Sequence, residues 1–124
     1  MGIIKIKGKV VSGVKKGAYY VSLDVYRKFF KKLLGKEPFP GTLNIELNDG
    51  VEVTSFLKER YNPPDKKYSP IFYALGKMCN KTVVIIRPKM SVHRKNVIEV
   101  VADERLREKF NLKDGDSVEI EINV

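Results

Sequence analysis

Pro38-Phe39-Pro40-Gly41-Thr42-Leu43-Asn44-Ile45-Glu46-Leu47 decides how the chain reads. Two prolines fix φ and the glycine admits backbone angles closed to other residues, so the segment opens as a rigid turn. It then alternates with a period of two. Leu43, Ile45 and Leu47 share one face of a strand, and Thr42, Asn44 and Glu46 share the other. A hydroxyl, an amide and a carboxylate thus stand side by side at the mouth of a stiff turn. They form either the solvated polar face of an antiparallel sheet or an oxygen-donor site for a hard cation such as Mg2+. This stretch alone leaves both open.

Working outward, residues 3 to 12 alternate as a strand and end at Ser12-Gly13, and Gly13-Val14-Lys15-Lys16-Gly17 is a loop bracketed by glycines. Tyr19 to Val21 is short and β-prone. Ser22 is placed to cap a helix over Leu23 to Leu34, with Asp24 in its first turn and Gly35 as its stop. Tyr26, Phe29, Phe30, Leu33 and Leu34 recur at helical spacing and read as a packing stripe rather than a base-stacking platform. Asn48-Asp49-Gly50 is a turn, and residues 51 to 60 read as a short strand leading into a short helix. A loop follows over Tyr61 to Pro70, then two β-rich segments, 71–78 and 82–87, joined by Cys79-Asn80-Lys81. Pro88 to Lys95 is a loop and Val97 to Ala102 a strand; Asp103 caps a short helix through Phe110, and Leu112 to Asp116 turns into a last strand, Ser117 to Ile122. Strands outnumber helices. The expectation is one mainly β domain over residues 1–124, a small β-barrel carrying one or two short helices.

Composition narrows the chemistry. Hydrophobic residues make up 43% and charged residues 31% of 124, a globular balance. No apolar run approaches the roughly 20 residues of a membrane span, and the start of the chain lacks a signal-peptide core, so a soluble, cytoplasmic protein is expected. One cysteine, Cys79, excludes an intrachain disulfide, and one histidine, His93, leaves little material for zinc or triad chemistry. The net charge of +9 favours polyanionic ligands, but its lysines come in pairs rather than long runs.

The familiar nucleotide fingerprints, Gly-x-x-x-x-Gly-Lys-Ser/Thr and Gly-x-Gly-x-x-Gly, are missing. Two weaker anion sites remain. The 13–17 loop has glycines that let backbone N–H groups converge, with Lys15 and Lys16 adding charge. Asp103-Glu104-Arg105-Leu106-Arg107 opens a short helix whose arginines either grip phosphate or pair along the helix surface. Glu99 shares a side with Val97 and Val101, which suits a carboxylate base or hydrogen-bond acceptor as well as a glutamate paired with a lysine.

Taken together, Gly8-Lys9-Val10-Val11-Ser12-Gly13, Gly17-Ala18-Tyr19-Tyr20-Val21-Ser22, Leu34 to Asn44, Val97 to Ala102, Leu106-Arg107 and Leu112 to Asp116 resemble the CTP-dependent riboflavin kinases of archaea. The last of these also resembles a turn of swapped-hairpin transcription factors. The resemblance implies a cradle-loop, riboflavin-kinase-like barrel that moves the γ-phosphoryl of CTP to the 5′-hydroxyl of riboflavin, giving FMN and CDP. It implies Thr42 and Asn44 as Mg2+ ligands. Val14, Lys15, Lys16, Gly17, Ala18 and Tyr19 would surround the phosphates, and Glu104, Arg105, Leu106 and Arg107 would complete the nucleotide site. Ser91 and Glu99 would contact the flavin, with Glu99 positioning or deprotonating the attacking hydroxyl. A monomer with riboflavin and CTP as partners is expected. The lack of an apolar span argues against a membrane, and a chain long enough for a self-contained barrel argues against nucleic acid. The first loop departs from the family's common Gly-Leu-Gly-Glu-Gly: here Lys15 and Lys16 replace a glycine and a glutamate, which points to a weakened Mg2+ dependence. Ser91 stands where relatives often carry threonine. The competing readings are a non-catalytic flavin or nucleotide sensor and a basic nucleic-acid-binding barrel.

Overall fold

A computed structural model describes residues 2–12, 21–48, 51–88 and 96–123. Period-two apolar runs form the strands β1 (Ile3–Val11), β2 (Leu43–Leu47), β3 (Glu59–Tyr61), β4 (Ile71–Met78), β5 (Lys81–Pro88), β6 (Val97–Val101) and β7 (Ser117–Asn123). Among the described residues the helices α1 (Asp24–Leu34) and the single-turn α2 (Leu106–Lys109) accompany them. Every pairing is antiparallel. The order β4-β5-β6-β2-β1-β7 closes on itself because β7 pairs back onto β4, through Gly76 with Ile122 and Lys77 with Glu121. Six strands thus make a barrel with no open edge, and β3 adds to the outside of β4.

Alternation sorts the strand residues into two apolar layers. Val10, Leu43, Ile45, Val83, Ile85, Ile98, Val100, Ile120 and Ile122 fill the barrel. Val84, Ile86 and Val101 point outward and are covered by Val21, Tyr26 and Phe30. The stripe of α1 is therefore packing, as its spacing predicts. Phe29 stacks on Tyr61 at 4.0 Å, while the Tyr26 hydroxyl donates to Ser69 O (2.6 Å) and the Tyr61 hydroxyl to Val25 O (2.9 Å). Those bonds tie the 61–70 segment to the helix.

Several boundaries differ from the sequence reading. Ser22 does not cap α1: Val21 and Ser22 are already helical, the chain bends at Leu23, and Leu23 takes the N-cap position without a side-chain bond. Burial of Val21 beneath the helix layer sets that entry. Residues 51 to 60 run in the opposite order, with a 3-10 turn at Val53–Ser55 preceding β3. Val53 and Leu57, four apart, both enter the barrel core, and Glu59, Arg60 and Tyr61 then pair with β4. Asp103 does not cap α2 either; Arg105 holds that position, and Asp103 pairs instead with Lys81 and Lys36. Cys79 (φ 50°) and Asn80 (φ 64°) form a two-residue hairpin turn, so Lys81 already belongs to β5.

Barrel closure rests on a close approach. A Cβ on Gly76 would lie 2.2 Å from Glu121 O and 2.7 Å from Ile85 Cδ1, and neither the paired backbone nor the packed core can yield cheaply. Gly76→Ala is expected to cost roughly 2 kcal/mol, lowering the thermal midpoint by on the order of 5–10 °C in a calorimetric scan.

Candidate functional site

The Pro-rich turn is held at both ends. Gly35 closes α1 with φ 75°, its N–H bonding Lys31 O at 2.8 Å. Glu37 then reaches back to Arg27 Nη1 (2.9 Å) and Lys31 Nζ (3.1 Å), and these cations hold its carboxyl below the usual range. Pro38 is buried, and Phe39 N–H donates to Ala102 O at 2.8 Å, just beyond β6. Thr42 therefore starts β2 from a fixed point.

Register does the rest. Val11 of β1 faces Asn44 of β2, Asn44 faces Glu99 of β6, and Glu99 faces Ile86 of β5. Since Val10, Ile45, Ile98 and Ile85 fill the interior, this row projects from the outer face of the barrel. Thr42 joins it diagonally, its Oγ1 donating to Glu99 Oε1 at 2.9 Å. The polar face is not simply solvated: Asn44 is only 9% exposed, and its Oδ1 is a buried oxygen without a hydrogen-bond partner. An orphaned buried carbonyl costs about 1–3 kcal/mol, so its presence calls for an explanation.

The oxygen set fits a hard cation. By donating its proton to Glu99, the Thr42 hydroxyl turns its lone pairs outward, while the Asn44 carbonyl offers an unused acceptor. Among the described residues no cluster of three or more His, Cys, Asp or Glu exists. Two neutral oxygens beside one carboxylate suit an ion that keeps several waters and shares charge with phosphates.

Arg87 stands beside this row. Its Nη1 donates to Val97 O at 2.9 Å; burial pushes the guanidinium below its ordinary value, and the Glu99 charge pulls it back up. At the start of the same strand β6, Asn96 is buried and donates Nδ2 to Leu47 O at 2.8 Å, with Leu47 N–H returning a bond to Asn96 O. Neither residue announces itself in the sequence, because each bonds to a neighbouring strand rather than to its own.

The remaining expected site residues separate. Glu104 pairs with Lys81 at 2.6 Å, and that ammonium lowers the pKa of both Glu104 and Asp103. Arg105 is exposed. Leu106 packs its side chain into the barrel core, which leaves its backbone for any ligand. Arg107 does not pair along its own helix; its Nη2 reaches Val11 O (3.2 Å) and Asp114 Oδ1 (2.6 Å). Val14, Lys15, Lys16, Gly17, Ala18, Tyr19, Ser91 and His93 lie outside the described residues.

The family model for CTP-dependent riboflavin kinase, described as domain of unknown function DUF120, matches residues 10–122. The chain belongs to the CTP-dependent riboflavin kinase family. A riboflavin kinase of Staphylothermus marinus is 42% identical over 94% of this chain and 90% of its own length. One from Saccharolobus solfataricus is 38% identical over 98% of this chain and 75% of its own. A third, from Archaeoglobus fulgidus, is 37% identical over 98% of this chain, which spans 55% of that relative. The closed barrel with few helices is the mainly β fold that the family resemblance implies. No described helix is long and apolar enough to cross a membrane.

If the Asn44 carbonyl is kept for a ligand rather than for the fold, removing it should not hurt the fold. Asn44→Leu is expected to unfold at or above the wild-type midpoint without ligands. A fall of about 5 °C or more, roughly 1–2 kcal/mol for a chain of this size, would mark Asn44 as a structural residue.

Proposed function

We propose that this chain phosphorylates riboflavin at its 5′-hydroxyl with the γ-phosphoryl of CTP, giving FMN and CDP. The observation that carries the reading is the buried, unpartnered Asn44 carbonyl in register with Glu99 and beside Thr42, in a chain whose family bears that activity in its name. The choice of CTP rests on the family name alone.

Phosphoryl transfer asks a protein mainly for positioning and charge neutralisation. Thr42 and Asn44 would hold a Mg2+ ion, which when bound neutralises the charge on the nucleotide phosphates. Glu99 holds the acceptor hydroxyl in line and takes its proton as the new O–P bond forms. The bond from the γ-phosphorus to the CDP oxygen breaks, and CDP leaves with that electron pair. The Thr42 hydroxyl fixes one carboxylate oxygen of Glu99, and the Arg87 guanidinium lies within reach of its charge. Val14 to Tyr19 and Glu104 to Arg107 surround the nucleotide, Leu106 through its backbone, and Ser91 contacts the flavin. Lys15 and Lys16 supply charge that lessens the call on Mg2+. The enzyme acts as a cytoplasmic monomer.

FMN formation from riboflavin, followed by chromatography with CTP, ATP, GTP and UTP in parallel, each with Mg2+ or EDTA, tests this reading. Product with CTP above the other donors is expected, with a reduced but measurable rate in EDTA, and Glu99→Gln lowering kcat by about 10²-fold or more. Riboflavin or nucleotide binding without product from any donor would favour the sensor reading. Tight, steeply salt-dependent DNA binding in its place would favour the nucleic-acid-binding barrel.

A further inference from the structure

The turn Leu112-Lys113-Asp114-Gly115-Asp116 is tied to β1 by its backbone. Gly115 N–H donates to Val10 O (2.7 Å), and Val10 N–H to Asp116 O (2.9 Å). Within the turn, Lys113 N–H is capped by Asp116 Oδ2 at 2.8 Å, and Gly115 takes φ 92°, which a glycine adopts without strain. The Asp114 side chain is not needed for any of these bonds. It is spent elsewhere: Oδ2 accepts from Ser12 Oγ, the last described residue after β1, and Oδ1 accepts from Arg107 Nη2 at 2.6 Å. Those two donors hold the Asp114 carboxyl below its usual range.

Arg107 is a divided residue. Its Nη2 is used by Asp114 and by Val11 O, and Val11 is the register partner of Asn44. Among the described residues its Nε and Nη1 have no partner, and the side chain keeps 28% of its surface open. A guanidinium pinned by one nitrogen, with two more donors left over beside the Asn44 row, is arranged to receive an anionic oxygen.

We propose that Asp114 is a positioning residue for the nucleotide: it orients Arg107 so that the remaining donors meet the CTP phosphates, and it fixes Ser12 where the chain leaves β1. This rests on the kinase reading. Charge and position predict opposite signs here. A carboxylate near a triphosphate repels it, so on charge alone Asp114→Asn would lower the KM for CTP. Losing a charge-assisted hold on Arg107 raises it.

The expected result is a KM for CTP raised about tenfold in Asp114→Asn, with kcat and the KM for riboflavin each within about threefold of wild type. Asp114→Glu, which keeps the charge but displaces it by a methylene, raises the same KM and serves as the reading should Asp114→Asn fail to fold. In a double-mutant cycle, Asp114→Asn adds much less to Arg107→Ala than to the wild type, since it acts mainly through Arg107. An unchanged or lowered KM in both Asp114 variants, or full additivity with Arg107→Ala, would overturn the proposal. Should the wild type form no FMN, the kinase reading fails by itself. The same cycle is then read in CTP binding by calorimetry, where equal affinities in wild type and Asp114→Asn, or no binding at all, overturn this proposal too.

Discussion

Strand register across β1, β2, β6 and β5 is the constraint on which the site depends. Side chains alternate faces with a period of two, so a one-residue slip of β2 would turn Asn44 into the barrel and push Ile45 out. Two things prevent it. The buried set Leu43, Ile45 and Leu47 specifies the face, and closure of β7 onto β4 leaves the ring no freedom to slide. The polar row is consequently as rigid as the core behind it. Catalytic groups placed on strands rather than on loops gain that rigidity at no additional conformational cost.

The same placement carries a thermodynamic penalty. A buried carbonyl without a partner works against folding, and so does burying a guanidinium, which here donates to Val97 O and feels the Glu99 charge. The fold offsets this with two apolar layers, one inside the barrel and one between its wall and α1. Ion pairs add anchoring at the ends: Glu37 with Arg27 and Lys31 stiffens the turn before β2, while Lys81 gathers Asp103 and Glu104 at the far end of β6. The Glu37 pairs are largely exposed and contribute little stability, whereas Lys81 and Asp103 are mostly covered; both sets serve to fix direction. What they direct is Thr42 and Asn44.

Local pattern made part of this legible. Thr42 and Asn44 could be read as one face because alternation is a property of adjacent residues, and the α1 stripe because helical spacing is too. Glu99 stood out as a carboxylate in an apolar alternation, and its partners on β2 and β5 follow from the barrel. What was not legible depends on contacts distant in sequence. Asp103 looked like a helix cap because a cap is a local device, yet Lys81, 22 positions earlier, takes it. Ser22 looked like a cap for the same reason, yet burial of Val21 moved the helix entry. Residues 51 to 60 misled because Val53 and Leu57 pack at helical spacing while the strand-forming residues come after them. Arg87 carried no signal and Asp114 only that of a turn, since their partners lie on other strands and turns. Likeness to a family named the proposed metal ligands; the orphaned Asn44 oxygen gives a physical reason for proposing one of them.

In the proposed reading the reaction is assembled on the outer-face row of Thr42, Asn44 and Glu99. A crystal structure with riboflavin, CDP and Mn2+, with the metal located by its anomalous signal, tests it most directly. A manganese peak within coordination distance of Asn44 Oδ1 and Thr42 Oγ1 is expected, with the flavin 5′-hydroxyl against the Glu99 carboxylate. A metal held away from Asn44, or a flavin whose hydroxyl does not approach Glu99, would contradict it.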